Sequence, residues 1–140
     1  GGDYDSQFGM SHPQVSGLSK ARMMEGLCSP TSPTPYVKEV SQVYSAGWPP
    51  VFLGDLWYYM VDYDIRDRAH EIDTSKCAVH IMNGEYDYTG SIKKGLAANQ
   101  AITGSTHTAM YNIGHFPMTE NPELFMSYLE PILESVSENL

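Results

Sequence analysis

The sequence predicts an α/β chain in which parallel strands with flanking helices follow a mostly helical region, and three observations lead there. Residues 77–82 and 108–113 are short apolar runs of strand type, with a segment of helical composition at 92–101 between them. Leu124, Phe125, Tyr128, Leu129, Ile132, Leu133 and Val136 repeat at three-and-four spacing, which specifies an amphipathic helix. Ahead of both, residues 34–47 carry a second helical stripe with its own start and stop signals.

Taken in order, residues 1–35 are rich in Gly, Ser, Pro and Met. The run at 29–35 holds three prolines, which remove backbone donors and restrict their predecessors, so it reads as a connector. A helix is then expected from Pro35, with Thr34 as its cap, Tyr36, Val37, Val40, Val43 and Tyr44 on one face and Gly47 at its end. Residues 51–61 are apolar nearly all round and rich in aromatics, the pattern of a buried or pocket-lining helix, although a strand fits the same composition. Near Asp73 the period changes, and the chain divides into a helical region, 1–72, and a strand-helix-strand-helix region, 73–140. The last helix is expected to start with Asn121 as cap and Pro122 in the first helical position, and to bend at Pro131.

Composition removes several classes of function. The net charge is −9, and the eight Lys and Arg residues are scattered rather than gathered into a stripe, which argues against nucleic acid. No apolar run approaches the roughly 20 residues needed to span a bilayer, and the first residues lack the pattern of a secretion signal, so neither membrane partner nor address is expected. Cys28 and Cys77 lack CxxC spacing and are expected to be reduced thiols in a cytoplasmic protein. The acidic stretch at 62–68 lacks the glycine and closing glutamate of a calcium loop and contains Arg66 and Arg68, so it reads as a solvated, self-paired face, and no metal site is expected.

The chemistry lies after the two strands. Parallel strands joined by a right-handed crossover lie about 4.8 Å apart with their carboxyl ends at one sheet edge. Gly84-Glu85-Tyr86-Asp87 follows the first and Gly114-His115-Phe116 follows the second, so an acid and an imidazole 28 positions apart are brought together there. A carboxylate on Nδ1 fixes the tautomer, orients the ring and stabilises imidazolium, leaving Nε2 to take a proton from a nucleophile. Asp87 is the favoured acid, with Glu85 as the alternative, and His12, His70, His80 and His107 are assigned structural roles.

The stretches MNGEYDYTG at 82–90 and YNIGHFPMTENPELFMSYLEPIL at 111–133 resemble the C-terminal part of the α/β-hydrolase fold family. In that family the acid follows a strand as G-x-x-D, matching Gly84 to Asp87, and the histidine stands in a G-H-x-P context, matching Gly114 to Pro117. The resemblance covers about residues 73–136 and implies that the preceding half is the helical cap, or lid, of such an enzyme. It also implies a nucleophile elbow, G-x-S-x-G, upstream of the acid. This sequence has none; the nearest approach, around Ser11, lacks the second glycine and places Pro13 where a helix should begin.

The expectation is therefore the C-terminal piece of a longer hydrolase, or one polypeptide of a split one, whose partner is the missing N-terminal half of the core. Asp87 and His115 are the catalytic candidates, and the reaction uses no cofactor. The substrate is a small apolar or aromatic molecule with an ester-like bond. Trp57, Tyr58 and Phe116 are candidate substrate-binding residues, with ordinary core packing as the equal alternative. The rival function is a non-catalytic, hydrolase-like module that holds a small hydrophobic ligand.

Overall fold

The computed structural model describes residues 16–138. Helices α1 (Ser16–Glu25) and α2 (Thr34–Ala46) pack against each other across the 29–35 connector. Met24, Leu27, Cys28 and Val40 form the buried centre, and Met23, Val37, Tyr44, Phe52 and Phe116 close around it. Burying a side chain of this size contributes about 1.5–3 kcal/mol, which is what holds the two helices together. Phe116 comes from the strand-bearing half, so this core spans both halves of the chain.

The start of α2 differs in detail from expectation. Pro33 occupies the cap position with no side-chain hydrogen bond, and Pro35 still falls in the first turn, where its missing N–H costs nothing. Gly47 does end the helix, but in an extended conformation rather than a left-handed one, and its carbonyl accepts a 2.9 Å hydrogen bond from Lys20 Nζ. Lys20 is 1% exposed. Its charge is accommodated by this helix-end carbonyl and by the Phe52 ring, 5.5 Å from the ammonium. Val43, expected on the inner stripe, is exposed, whereas Val40 on the same helix is buried.

Residues 51–61 depart further from expectation. Helix α3 (Pro49–Trp57) continues into a π-helical turn (Tyr58–Asp62), so the segment is helical, yet Val51, Tyr59 and Val61 are exposed rather than buried. No other element among the described residues covers this face. A short 3₁₀ turn (Ala69–Glu71) follows, flanked by the exposed pairs Asp64–Arg66 and Arg68–Glu71.

Strands β1 (His80–Gly84) and β2 (Thr106–Met110) pair in parallel, His80 opposite Thr106 and Gly84 opposite Met110, with α4 (Ile92–Ala101) as the crossover packed on both. Both strands begin and end at positions other than those the apolar runs mark. Cys77 is exposed ahead of β1, and β2 stops at Met110 because the chain turns at Asn112, whose φ of 61° lies in the left-handed region tolerated by asparagine. His80 and His107 are held by Thr106 Oγ1 at 2.7 Å and Asn83 Oδ1 at 3.1 Å. After a short helix α5 (Pro117–Glu120), α6 (Pro122–Ser137) opens with Asn121 Oδ1 accepting from Leu124 N at 3.2 Å, and it runs past Pro131.

Neither the sheet nor α6 is fully covered. No residue of α6 is buried, and Leu133 on its apolar stripe is exposed. In the sheet, only the terminal Gly84 and Met110 are buried, although parallel sheets ordinarily carry helices on both faces. Cys28 sits in the core, where burial first and the Glu120 and Glu25 charges next push its thiol up to about 12.

The ends of the two strands approach so closely that side chains are excluded. A Cβ added to Gly84 would overlap the carbonyl oxygen of Gly114. Gly84→Ala is therefore expected to destabilise the protein by about 3 kcal/mol, as overpacking against backbone does. Gly54, on α3 with nothing within 4 Å of a built Cβ, should respond oppositely, Gly54→Ala gaining up to about 1 kcal/mol from helix propensity. Urea unfolding of the two variants checks the contrast.

Candidate active site

Beyond the glycine contact, two turns fold toward each other. Tyr86 N donates to Ile113 O at 3.0 Å and Glu85 N to Met110 O at 2.9 Å, which carries the sheet pairing past the strand ends and sets the acid-bearing turn beside the histidine-bearing loop. Asp87 then closes its own turn. Its Oδ1 accepts from Thr89 N at 2.8 Å, Thr89 Oγ1 at 2.7 Å and Gly90 N at 2.9 Å. An aspartate that hydrogen-bonds the backbone two residues on is a turn-forming arrangement in its own right. Here it also fixes the carboxylate plane and leaves Oδ2 for a second partner.

That partner is His115, whose Nδ1 lies 2.8 Å from Asp87 Oδ2. The Asp87 side chain is 10% exposed and that of His115 is 39% exposed, so the acid is sheltered and the imidazole half open to solvent. Thr89 Oγ1 lies 3.1 Å from the same nitrogen. Glu85, the other candidate acid, is engaged elsewhere, accepting from Asn112 N at 3.0 Å. The contact with the imidazole is thus made by Asp87.

The histidine loop is held from a third side. Glu120, 0% exposed, accepts from Gly114 N and Phe116 N through Oε1, both at 3.0 Å, and from Ser29 N at 2.6 Å and Ser32 Oγ at 2.7 Å through Oε2. His115 N donates to Leu27 O at 2.9 Å. The Phe116 ring stands edge-on to the imidazole, 4.7 Å between centroids, and 5.4 Å from Tyr44 on its other side.

Burial opposes ionisation of Asp87, but the His115 hydrogen bond, the Gly90 amide and Thr89 together hold its carboxyl well below the usual carboxylate range. For His115 the Asp87 hydrogen bond outweighs burial, and the Asp87 and Glu120 charges add to it, so its pKa is raised. A side chain of this kind is poised to accept a proton at Nε2 and to keep it as imidazolium opposite a carboxylate.

The other sequence candidates are placed differently. Phe116 touches the imidazole, whereas Tyr58 stacks on Tyr63 at 5.4 Å and meets Tyr59 edge-on at 6.0 Å, in an aromatic group of its own. Trp57 and Tyr58 are half exposed. Ser11 lies outside the described residues. An open depression of about 470 Å³ is lined by Cys28, Ser29, Ser32, Val37 and Tyr86 among others, and neither Asp87 nor His115 is on its wall.

No protein-family model and no curated protein matches the sequence. Solved structures do match. A malate-bound thermophilic esterase from Thermogutta terrifontis superposes with a TM-score of 0.79 at 16% identity over 95% of this chain and 50% of that one. Est816, an N-acyl homoserine lactone degrading enzyme, gives 0.66 at 19% identity over 89% and 50%. The chain shares its fold with half of each. It spans about half the length of these proteins, and at such identities the likeness is one of fold.

Three supports of the pair were not singled out from the sequence. Thr89 had a signal in Asp87-Tyr88-Thr89-Gly90, a turn of the Asx type. Glu120 had only its place in the GHFPMTENP stretch, and the Leu27 carbonyl had none, because a backbone acceptor leaves no mark on residue type.

With its folded pKa raised, His115 contributes stability that is complete below its unfolded value of about 6.5 and is lost as pH climbs through the folded midpoint. Asp87 is depressed and contributes the opposite way, stabilising above about 3.9 and losing that stability as pH falls toward its folded midpoint. An NMR titration of the His115 ring should give a midpoint above about 6.5, and Asp87→Asn should lower it.

Proposed function

We propose that this chain is the C-terminal half of an α/β-fold hydrolase that cleaves an ester-like bond in a small apolar or aromatic substrate. The observation that carries the proposal is the 2.8 Å contact between His115 Nδ1 and a sheltered Asp87 at the carboxyl end of a parallel strand pair. In open α/β sheets that edge is where ligands bind. One structural neighbour is named as an esterase, which supports this substrate class, and the other as an enzyme that degrades N-acyl homoserine lactones, molecules that contain an ester-like ring bond.

In the proposed mechanism a nucleophile from the half of the protein outside these residues, a serine in the leading case, gives its proton to His115 Nε2 as it attacks the carbonyl. Asp87 stabilises the imidazolium, which returns the proton to the leaving oxygen and then activates water for the second half of the reaction. Phe116 forms the apolar wall beside the imidazole. The helical region before residue 73, with Trp57 and Tyr58 on its exposed aromatic segment, serves as the cap over the substrate. The half-covered sheet and α6 provide the surface on which the other half of the core packs.

The test is hydrolysis of small p-nitrophenyl esters by the full-length protein. His115→Ala should lower kcat/KM by roughly four powers of ten and Asp87→Asn by about three to four. The acid limb of the kcat/KM profile should sit above about pH 6.5, because the base must be neutral and its pKa is raised. Undiminished turnover by His115→Ala would sink the proposal.

A further inference from the structure

Three successive peptide N–H groups carry the candidate base, and none is left to solvent. Those of Gly114 and Phe116 converge on one oxygen of Glu120 at 3.0 Å each, and that of His115 between them goes to Leu27 O at 2.9 Å. The second Glu120 oxygen is taken by Ser29 N at 2.6 Å and Ser32 Oγ at 2.7 Å, 91 and 88 positions away in sequence. One fully buried carboxylate therefore bridges the connector between α1 and α2 and the loop bearing His115. Three backbone N–H groups and one hydroxyl converge on it, so both of its oxygens are engaged as acceptors.

The packing leaves no slack. A Cβ on Gly114 would overlap Leu27 O and crowd both Glu120 Oε1 and Ser29 N. With its backbone fixed on both sides, the imidazole has only its own side-chain torsions to set, and these are limited by Asp87 on Nδ1 and by the Phe116 ring.

We infer that Glu120 is a positioning residue for His115, holding the imidazole at the Asp87 carboxylate and tying its placement to the helical segment through Ser29 and Ser32. The inference rests on the hydrolase proposal for its catalytic consequence but not for its structural one. Glu120 does not touch reacting atoms in this scheme. It acts by geometry, where a displacement of about 1 Å in a catalytic group costs on the order of a hundredfold in rate. The charged groups facing His115 are the Asp87 and Glu120 carboxylates, and the Cys28 thiol, just ahead of the connector, is near enough to feel the Glu120 charge. Loss of the Glu120 charge therefore acts on the imidazole in the same direction as loss of Asp87, more weakly, since the Asp87 contacts come first among the causes that raise it.

The deciding experiment compares Glu120→Gln and Ser32→Ala with His115→Ala in the full-length protein, by ester hydrolysis and by NMR titration of the His115 ring, with circular dichroism to confirm folding. Glutamine turns an amide N–H₂ toward donors that need an acceptor. Glu120→Gln should lower kcat by about 10- to 100-fold with KM within about twofold, and should lower the His115 midpoint. Ser32→Ala, which removes one donor and leaves the histidine side intact, should lower kcat by about 3- to 10-fold. A folded Glu120→Gln protein with wild-type kcat and an unmoved His115 midpoint overturns the inference, leaving Glu120 a purely structural acid. If Glu120→Gln does not fold, Ser32→Ala decides, and an unchanged kcat there overturns the inference too. Full activity in His115→Ala defeats the hydrolase proposal instead, and the ring titration of Glu120→Gln still reports whether Glu120 sets the imidazole.

Discussion

Everything in the candidate site follows from two backbones meeting at Gly84 and Gly114 with no side chain between them. The parallel register brings both strand ends to one edge, and the glycine contact lets the turns beyond them interlock instead of splaying apart. Extra sheet-like hydrogen bonds from Glu85 and Tyr86 then continue the pairing, and the Asp87 turn is presented to the His115 ring. A larger residue at Gly84 would meet the Gly114 carbonyl, and one at Gly114 the Leu27 carbonyl, so the backbone around the pair would have to shift.

Two sheltered acids divide the work around that point. Asp87 spends one oxygen on its own turn and offers the other to a titratable partner, so its environment favours charge on both groups. Glu120 spends both oxygens on backbone N–H groups and a serine hydroxyl, and so fixes backbone. The buried Lys20 is handled in a third way, by one helix-end carbonyl and an aromatic face. Each buried polar group is matched to partners of a different kind, and of the three only Asp87 hydrogen-bonds an imidazole.

The period of the apolar residues made the strand-helix-strand order and the closing helix legible, and Asn121-Pro122 marked where that helix starts. The meeting of Asp87 and His115 was legible too, because topology alone puts residues after parallel strands at one edge. What escaped was set by tertiary contact. The ladder register shifted both strands away from their apolar runs, and the aromatic segment at 51–61 gave the composition of a buried or pocket-lining helix while, Phe52 apart, its Val51, Tyr59 and Val61 face outward. Glu120 escaped for a related reason, since an acid three residues past a proline looks like an ordinary helix-start carboxylate until the connector folds back onto it.

The two cysteines end up in opposite chemical states of availability. Cys28 lies in the core with its thiol held protonated by burial, whereas Cys77 stands in the open just ahead of β1. Since only thiolate reacts with maleimides and similar reagents, Cys77 is the addressable one of the two. A fluorophore or spin label placed there reports on the segment where the helical region hands over to the sheet, with Cys28 shielded in the core.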